Sequence, residues 1–170
     1  MLYDTVYAEV SGLRILVVAD THQKWRRLEK VVLAQPQTEV VIHLGDCCAD
    51  AEMVRYDFPA KMFCIVSGNC DFSSDFPDEL LHTFEGKRIF AAHGHQYGVK
   101  SGLETLERAA RSKDADICLF GHTHSRYVGY RDGLYIMNPG SLGNARDSKS
   151  SYGIIDITAA GIVTTVVDEK

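Results

Sequence analysis

Read as apolar and polar positions, the chain repeats one unit: a short unbroken run of aliphatic residues, a polar stop, then a helical period. Ile15-Leu16-Val17-Val18, between Arg14 and Ala19, is the first run. Unbroken rather than alternating hydrophobicity predicts a strand buried on both faces. The run stops at Asp20-Thr21-His22. From about Lys24 to Ala34, Trp25, Leu28, Val31 and Val32 share one helical face, and Pro36 closes the segment because proline cannot continue a helix. Val40-Val41-Ile42-His43-Leu44 is the second run and leads into Gly45-Asp46. A short helix is expected over residues 50–56. Met62-Phe63-Cys64-Ile65-Val66 then predicts a third strand, ending at Ser67-Gly68-Asn69-Cys70-Asp71.

Leu80 to Phe84 and Arg88 to Ala92 flank Glu85-Gly86-Lys87 and predict a hairpin, whose second arm ends at His93-Gly94-His95. Ser101 and Glu104 have the spacing of a capping box for a helix reaching Ser112, with Leu103, Leu106 and Ala110 inward. The fourth run, Ile117-Cys118-Leu119-Phe120, enters Gly121-His122-Thr123-His124. Beyond it the pattern is of strands alone: Leu134 to Met137, stopped by Asn138-Pro139-Gly140-Ser141, then Gly153 to Ile157 and Ile162 to Val167, turned at Gly161. Within residues 1–13, Val6 to Val10 reads as an extra edge strand or an arm. Strands alternating with helices through residue 120 predict an α/β fold with a largely parallel sheet. The later, helix-free strands predict a second sheet packed on it. Loops at the carboxyl ends of such strands converge on one crevice, and Asp20, His22, Asp46, Asn69, His93, His122 and His124 all lie there.

Composition narrows what those residues can be doing. A chain of 170 residues suits one domain, 1–170, with a sizeable core. Hydrophobic residues at 45% and charged residues at 24% give the balance of a soluble globular protein. A net charge of −5 argues against nonspecific nucleic-acid or anionic-membrane binding. No apolar run reaches membrane-spanning length and the N-terminus lacks signal-peptide order, so a cytoplasmic location is expected. The cysteines, 5 in number and without a Cys-x-x-Cys pair, indicate neither a disulfide framework nor a structural zinc site. None is followed by arginine six positions on, which excludes cysteine-phosphatase chemistry.

Two aspartates, four histidines and an asparagine carbonyl form a mixed oxygen and nitrogen donor set suited to Mn²⁺, Fe²⁺, Ni²⁺ or Zn²⁺. Calcium would need more oxygen, and structural zinc fewer ligands with more thiolate. Seven donors exceed what one open catalytic ion uses, whereas two ions sharing a carboxylate would employ all of them and leave positions for water. In this order, Asp20-Thr-His22, Gly45-Asp46, Gly68-Asn69-x-Asp71, His93-Gly-His95 and Gly121-His122-Thr-His124 resemble the signature of the calcineurin-like metallophosphoesterases. The short length, the His-Gly-His form and Asn138-Pro-Gly-Ser141 resemble the small YfcE-type phosphodiesterase group, to which the retromer subunit Vps29 is related. The resemblance spans residues 14–141.

That resemblance implies a four-layer α/β/β/α sandwich of two mixed sheets, of the metallo-dependent phosphatase type. It assigns Asp20, His22 and His124 to one metal, Asn69, His93 and His122 to a second, and Asp46 to both. It implies two divalent ions, Mn²⁺ first among the four above, and hydrolysis of a small phosphodiester by in-line attack of a bridging hydroxide. Asp71 is expected to accept from His22 or from a neighbouring loop amide and so to orient ligands. Cys70 departs from the histidine many relatives carry after this asparagine, and a neutral thiol is a poor proton donor. His95 is the other candidate to protonate the leaving oxygen or touch the phosphate. The alternative is a protein-binding scaffold of the Vps29 type with little or no catalysis, which retention of all seven ligands disfavours. A homo-oligomer stays open. His43 is expected to be a satisfied core residue, His82 to face solvent, Asn138 to Ser141 to be a simple turn, and Arg126, Arg131 and Arg146 to be solvated.

Overall fold

The structure, a computed structural model, describes residues 12–146 and 149–170; the edge strand expected at Val6 to Val10 lies outside them. The first apolar run forms β1 (Gly12–Val18), followed by α1 (Trp25–Ala34), β2 (Val40–His43), α2 (Cys48–Arg55) and β3 (Met62–Ile65). The hairpin is β4 (Glu79–Phe84) and β5 (Lys87–Ala92). After a single 3₁₀ turn at His95–Tyr97 come α3 (Glu104–Ser112), β6 (Ile117–Leu119), β7 (Arg126–Arg131), β8 (Leu134–Pro139), β9 (Ser151–Thr158) and β10 (Gly161–Asp168). No helix among the described residues is long and apolar enough to cross a membrane.

Two mixed five-stranded sheets result, in the orders β10-β9-β1-β2-β3 and β4-β5-β6-β8-β7. In the first, β1 and β2 pair in parallel, as do β2 and β3, while β9 lies antiparallel to β1. In the second, β5, β6 and β8 are parallel, with antiparallel β4 and β7 at its edges. The expected second sheet therefore exists, but β9 and β10 do not build it: they extend the first sheet beside β1. The pattern could count strands without saying which neighbour a late hairpin would choose.

Side chains alternate across a strand, and here both faces are used. Ile15 and Val17 join Val40, Ile42, Ile89, Ala91, Ile117 and Leu119 in the core between the sheets. Leu16, Val18 and Val41 turn outward onto Leu28, Val31 and Val32 of α1 and Ala51 and Val54 of α2. On the far side Leu106 and Ala110 of α3 cover Phe90, Cys118 and Ile136. The layers are α/β/β/α, as the resemblance implied. Leu106 is fully buried, and trimming such a leucine to alanine costs about 2–5 kcal/mol.

Two local expectations fail. Ser101 caps nothing, because α3 opens at Glu104 with Leu103 at the cap position and no side-chain cap bond. Glu104 is thus the first helical residue instead of the third, and with Glu107 it supplies first-turn negative charge that favours the helix dipole. β7 was not expected: its polar ends and largely exposed positions carry little hydrophobic signal, as edge strands commonly do.

Candidate metal centre

The carboxyl ends of β1, β2, β3, β5 and β6 point into one crevice, and the backbone there is strained. Asp20, His22, Asp46, His122 and His124 all have positive φ, between 45° and 67°. Left-handed backbone at a residue other than glycine costs on the order of 1–3 kcal/mol and persists only where surroundings over-determine it. Those surroundings are visible. The Asp20 carbonyl accepts from Gly143 N at 2.9 Å and from Ser141 Oγ at 2.8 Å. The Asp20 amide donates to Gly45 O at 3.0 Å, and Arg146 N to His124 O at 3.0 Å.

What this holds in place is a crowd of acceptors. Asp20 is fully buried; its Oδ2 accepts from His122 N at 3.1 Å, while its Oδ1 has no hydrogen-bond partner among the described residues. That Oδ1 lies 3.2 Å from His124 Nε2, 3.9 Å from His93 Nε2 and 4.0 Å from His22 Nε2. His93 Nδ1 faces Leu44 O at 2.7 Å and His124 Nδ1 faces Asn144 O at 2.8 Å. A carbonyl can only accept, so both Nδ1 atoms carry the proton and both Nε2 lone pairs look inward. Asp46 turns Oδ1 toward His93 Nε2 (3.4 Å) and Oδ2 toward His22 Nε2 (3.8 Å). Asn69 Oδ1 is 3.1 Å from His93 Nε2, and His22 Nε2 is 3.1 Å from His124 Nε2.

Of the seven residues expected to bind metal, Asp20, His22, Asp46 and His124 bring ligand atoms within 4.8 Å of one another. His93 and Asn69 adjoin through the contact just given, and the His122 ring packs 5.1 Å from that of His93. Buried acceptors with no donor between them are costly, and a cation removes that cost. The residues present therefore fit a divalent metal, with Asp46 presenting one oxygen to each side. Burial, with His93 and Lys100 nearby, lowers the His122 pKa to about 4. His124 is raised, chiefly by the Asp20 carboxylate beside it.

The expected accessory residues separate. Asp71 accepts from the amides of Asp46, Cys48 and Gly68, each at 2.8 Å, and from the Cys48 thiol at 3.1 Å. Of its two expected roles it takes the loop amides and not His22. Burial pushes its carboxyl up, but the Gly68 and Cys48 amides outweigh that and hold it below the usual range. Cys70 is exposed, its amide donates to Asp46 Oδ1 at 2.9 Å, and burial followed by the Asp46 carboxylate pushes its thiol to about 11. His95 stands 5.5 Å from the His93 ring and 6.1 Å from that of His122. Burial and His93 lower its pKa.

Three supports escaped the sequence reading. Asn138 is fully buried and donates to Gly121 O at 2.9 Å and Thr123 Oγ1 at 3.0 Å while accepting from Gly140 N. With Ser141 it braces two of the ligand loops, so Asn138-Pro-Gly-Ser is more than a turn. His43 is the satisfied core residue expected, but its bracing role was not: it accepts from Gly45 N on Nδ1 and donates from Nε2 to Thr21 Oγ1, which donates to Asp46 O. Gly68 is packed so that an added Cβ would stand 2.3 Å from Asp46 Oδ1 and 2.4 Å from its amide nitrogen. Of the remaining expectations, His82 is exposed. Arg126 and Arg131 pair with Asp168 (2.6 Å) and Glu107 (2.8 Å).

A four-layer sandwich whose parallel strand ends gather carboxylates and imidazoles has the architecture of a metallophosphoesterase. The chain belongs to the calcineurin-like phosphoesterase superfamily, whose domain matches residues 13–160. It is 31% identical over 147 residues to the probable metallophosphoesterase YsnB of Bacillus subtilis, covering 85% of each chain. Among solved structures it resembles a Streptococcus pneumoniae protein described as a predicted phosphoesterase, with a TM-score of 0.79, 25% identity and coverage of 94% of this chain and 91% of that one. Vps29 of Cryptosporidium parvum shares the fold, with a TM-score of 0.78, 24% identity and coverage of 94% and 92%.

Proposed function

We propose that the protein is a metal-dependent phosphodiesterase that hydrolyses small phosphodiesters, using two divalent cations, Mn²⁺ foremost. The observation that carries this is Asp20 Oδ1, a buried carboxylate oxygen without a donor, set among three imidazole nitrogens at 3.2 to 4.0 Å. Asp20, His22 and His124 would hold one ion, Asn69, His93 and His122 the other, and Asp46 would span them with its two oxygens. Cations bound there supply Lewis acidity toward a phosphoryl oxygen and a water acidic enough to act as a nucleophile near neutral pH.

The protein's own residues then orient and shield. The Leu44 and Asn144 carbonyls fix two imidazoles in the tautomer that presents Nε2, and Asp71 pins the Asp46 and Asn69 loops together. His95 is the better placed of the two candidates to meet the departing oxygen, since the Cys70 thiol is too weak an acid to give up its proton at neutral pH. The test is hydrolysis of bis(p-nitrophenyl) phosphate and p-nitrophenyl phosphate by chelator-stripped protein resupplied with Mn²⁺, Fe²⁺, Ni²⁺ or Zn²⁺. Turnover that returns with metal, favours the diester and falls about 100-fold or more in Asp46→Asn is expected. Absence of turnover with every metal would overturn the reading and favour a Vps29-type scaffold.

A further inference from the structure

Beside the metal centre, on the Asp46 side, lies a second cavity of about 590 Å³ that the proposed chemistry leaves unused. It falls within the usual range for small-molecule sites, about 300–1,000 Å³. Cys47 and Cys70, neighbours in sequence of two candidate ligands, form its inner edge, and Gln23, Asp50, Glu52, Arg55, Phe72 and Phe76 line the rest. Its charge is one-sided. Arg55, the one cationic side chain on this wall among the described residues, is already paired with Glu52 at 3.2 Å. Asp71 spends its oxygens on amides and a thiol. Asp50 and Asp75 remain.

Asp50 is the informative residue. It is only 6% exposed and lines the cavity; the Thr21 side chain and the Gln23 backbone support its carboxyl, while its Oδ2 has no hydrogen-bond partner among the described residues. Burying a carboxylate oxygen without a donor is costly, so the wall is built for a donor or a positive charge. Phe72, 88% exposed at the rim, offers an aromatic face, and cations bind such faces. A second phosphate or carboxylate on the ligand would instead be repelled.

We propose that this cavity receives the alcohol portion of the phosphodiester and selects one bearing a cationic amine or quaternary ammonium group, a specificity that rests on the phosphodiesterase reading above. Asp50 and Phe72 are its specificity residues. With Mn²⁺ present, p-nitrophenyl phosphocholine is compared with its neutral carbon isostere, 3,3-dimethylbutyl p-nitrophenyl phosphate, which has the same leaving group. The expected ratio of kcat/KM is about tenfold or more in favour of the cation, falling to about unity in Asp50→Asn and by about threefold in Phe72→Ala. Phe72 is exposed, so its variant keeps the test alive should Asp50→Asn fold poorly. Independently of turnover, choline chloride titrated into the metal-free protein should shift the amide resonances of Asp50 and Phe72 more than equal sodium chloride does. A wild-type ratio near one, with bis(p-nitrophenyl) phosphate still hydrolysed, overturns the specificity and leaves the phosphodiesterase reading standing. No hydrolysis of any of the three esters overturns both.

Discussion

His43 lends itself to a quantitative test because it is fully buried and braces the centre without being a candidate ligand. Its Nδ1 accepts the Gly45 amide at 3.2 Å, so a second ring proton would need to displace that bond inside the core. Burial accordingly lowers its pKa from 6.5 to about 4, against the opposing pull of Asp71 and Asp20. A histidine whose pKa is lower folded than unfolded binds its proton more readily in the unfolded chain, so acid favours unfolding. The stability tied to neutral His43 is therefore complete above about pH 6.5, declines as pH falls, and is gone below about pH 4. At about 1.4 kcal/mol for each tenfold change in proton affinity, the ceiling is about 3 kcal/mol. The perturbation is His43→Gln, which has no ionisable group, and the assay is urea unfolding of chelator-treated wild type and variant at intervals from pH 8 to 4.5. The difference between the two curves reports protonation at position 43. Wild-type stability should fall more steeply than that of the variant, by about 2–3 kcal/mol across this window. Parallel curves would show that His43 is protonated as easily folded as unfolded, and the role assigned to it would be wrong.

Asp71→Asn keeps one acceptor oxygen and sets its NH2 against at least one of the three backbone donors at 2.8 Å; a loss of about 2–4 kcal/mol is expected, read as a fall in Tm on the order of 10 °C. An unchanged Tm would contradict it. Gly68→Ala has no room, with Asp46 atoms 2.3 and 2.4 Å from the new Cβ, so Mn²⁺ affinity by calorimetry should weaken about tenfold or more, and equal affinity would count against the contact. Cys70→His replaces a thiol raised to about 11 with a usable acid, so turnover of aryl phosphodiesters should rise; identical kinetics would remove Cys70 from consideration at the leaving oxygen.

Much of this was written in the chain's simplest pattern. Ile15-Leu16-Val17-Val18 can only be a strand covered on both sides, and it is, with Ile15 and Val17 against the second sheet and Leu16 and Val18 against the helices. The polar stop after each run marked the crevice because parallel strands end together. Sheet membership was not legible: β9 pairs with β1 across more than a hundred residues, and nothing local in Ser151–Thr158 specifies that partner. The bracing residues were hidden for another reason. Asn, Pro, Gly and Ser are the residues of any turn, and only the fold shows that the Asn138 carboxamide is buried against Gly121 and Thr123. Asp50 was invisible in the same way, since an aspartate in the first turn of a helix reads as dipole compensation until the fold shows it buried beside a cavity with an unpartnered oxygen.

The strain and the acceptor crowding at the centre are two sides of one design. Left-handed backbone at Asp20, His22, Asp46, His122 and His124 turns three short loops sharply enough for their side chains to meet within a few ångströms. Ordinary turn chemistry, with glycine at those positions, would relieve the backbone but remove the candidate ligands themselves. The ligand loops are instead forced from outside. The Ser141 hydroxyl and the Gly143 amide seize Asp20 O, Asp71 ties Asp46 to Gly68, and Asn138 holds the Gly121 carbonyl. Each brace satisfies backbone polar groups and leaves Asp20 Oδ1, turned to three imidazoles, without a donor among the described residues. The sequence thus concentrates its unfavourable electrostatics where a divalent cation would relieve it, and under the proposed function a centre assembled this way would favour the metal-bound state.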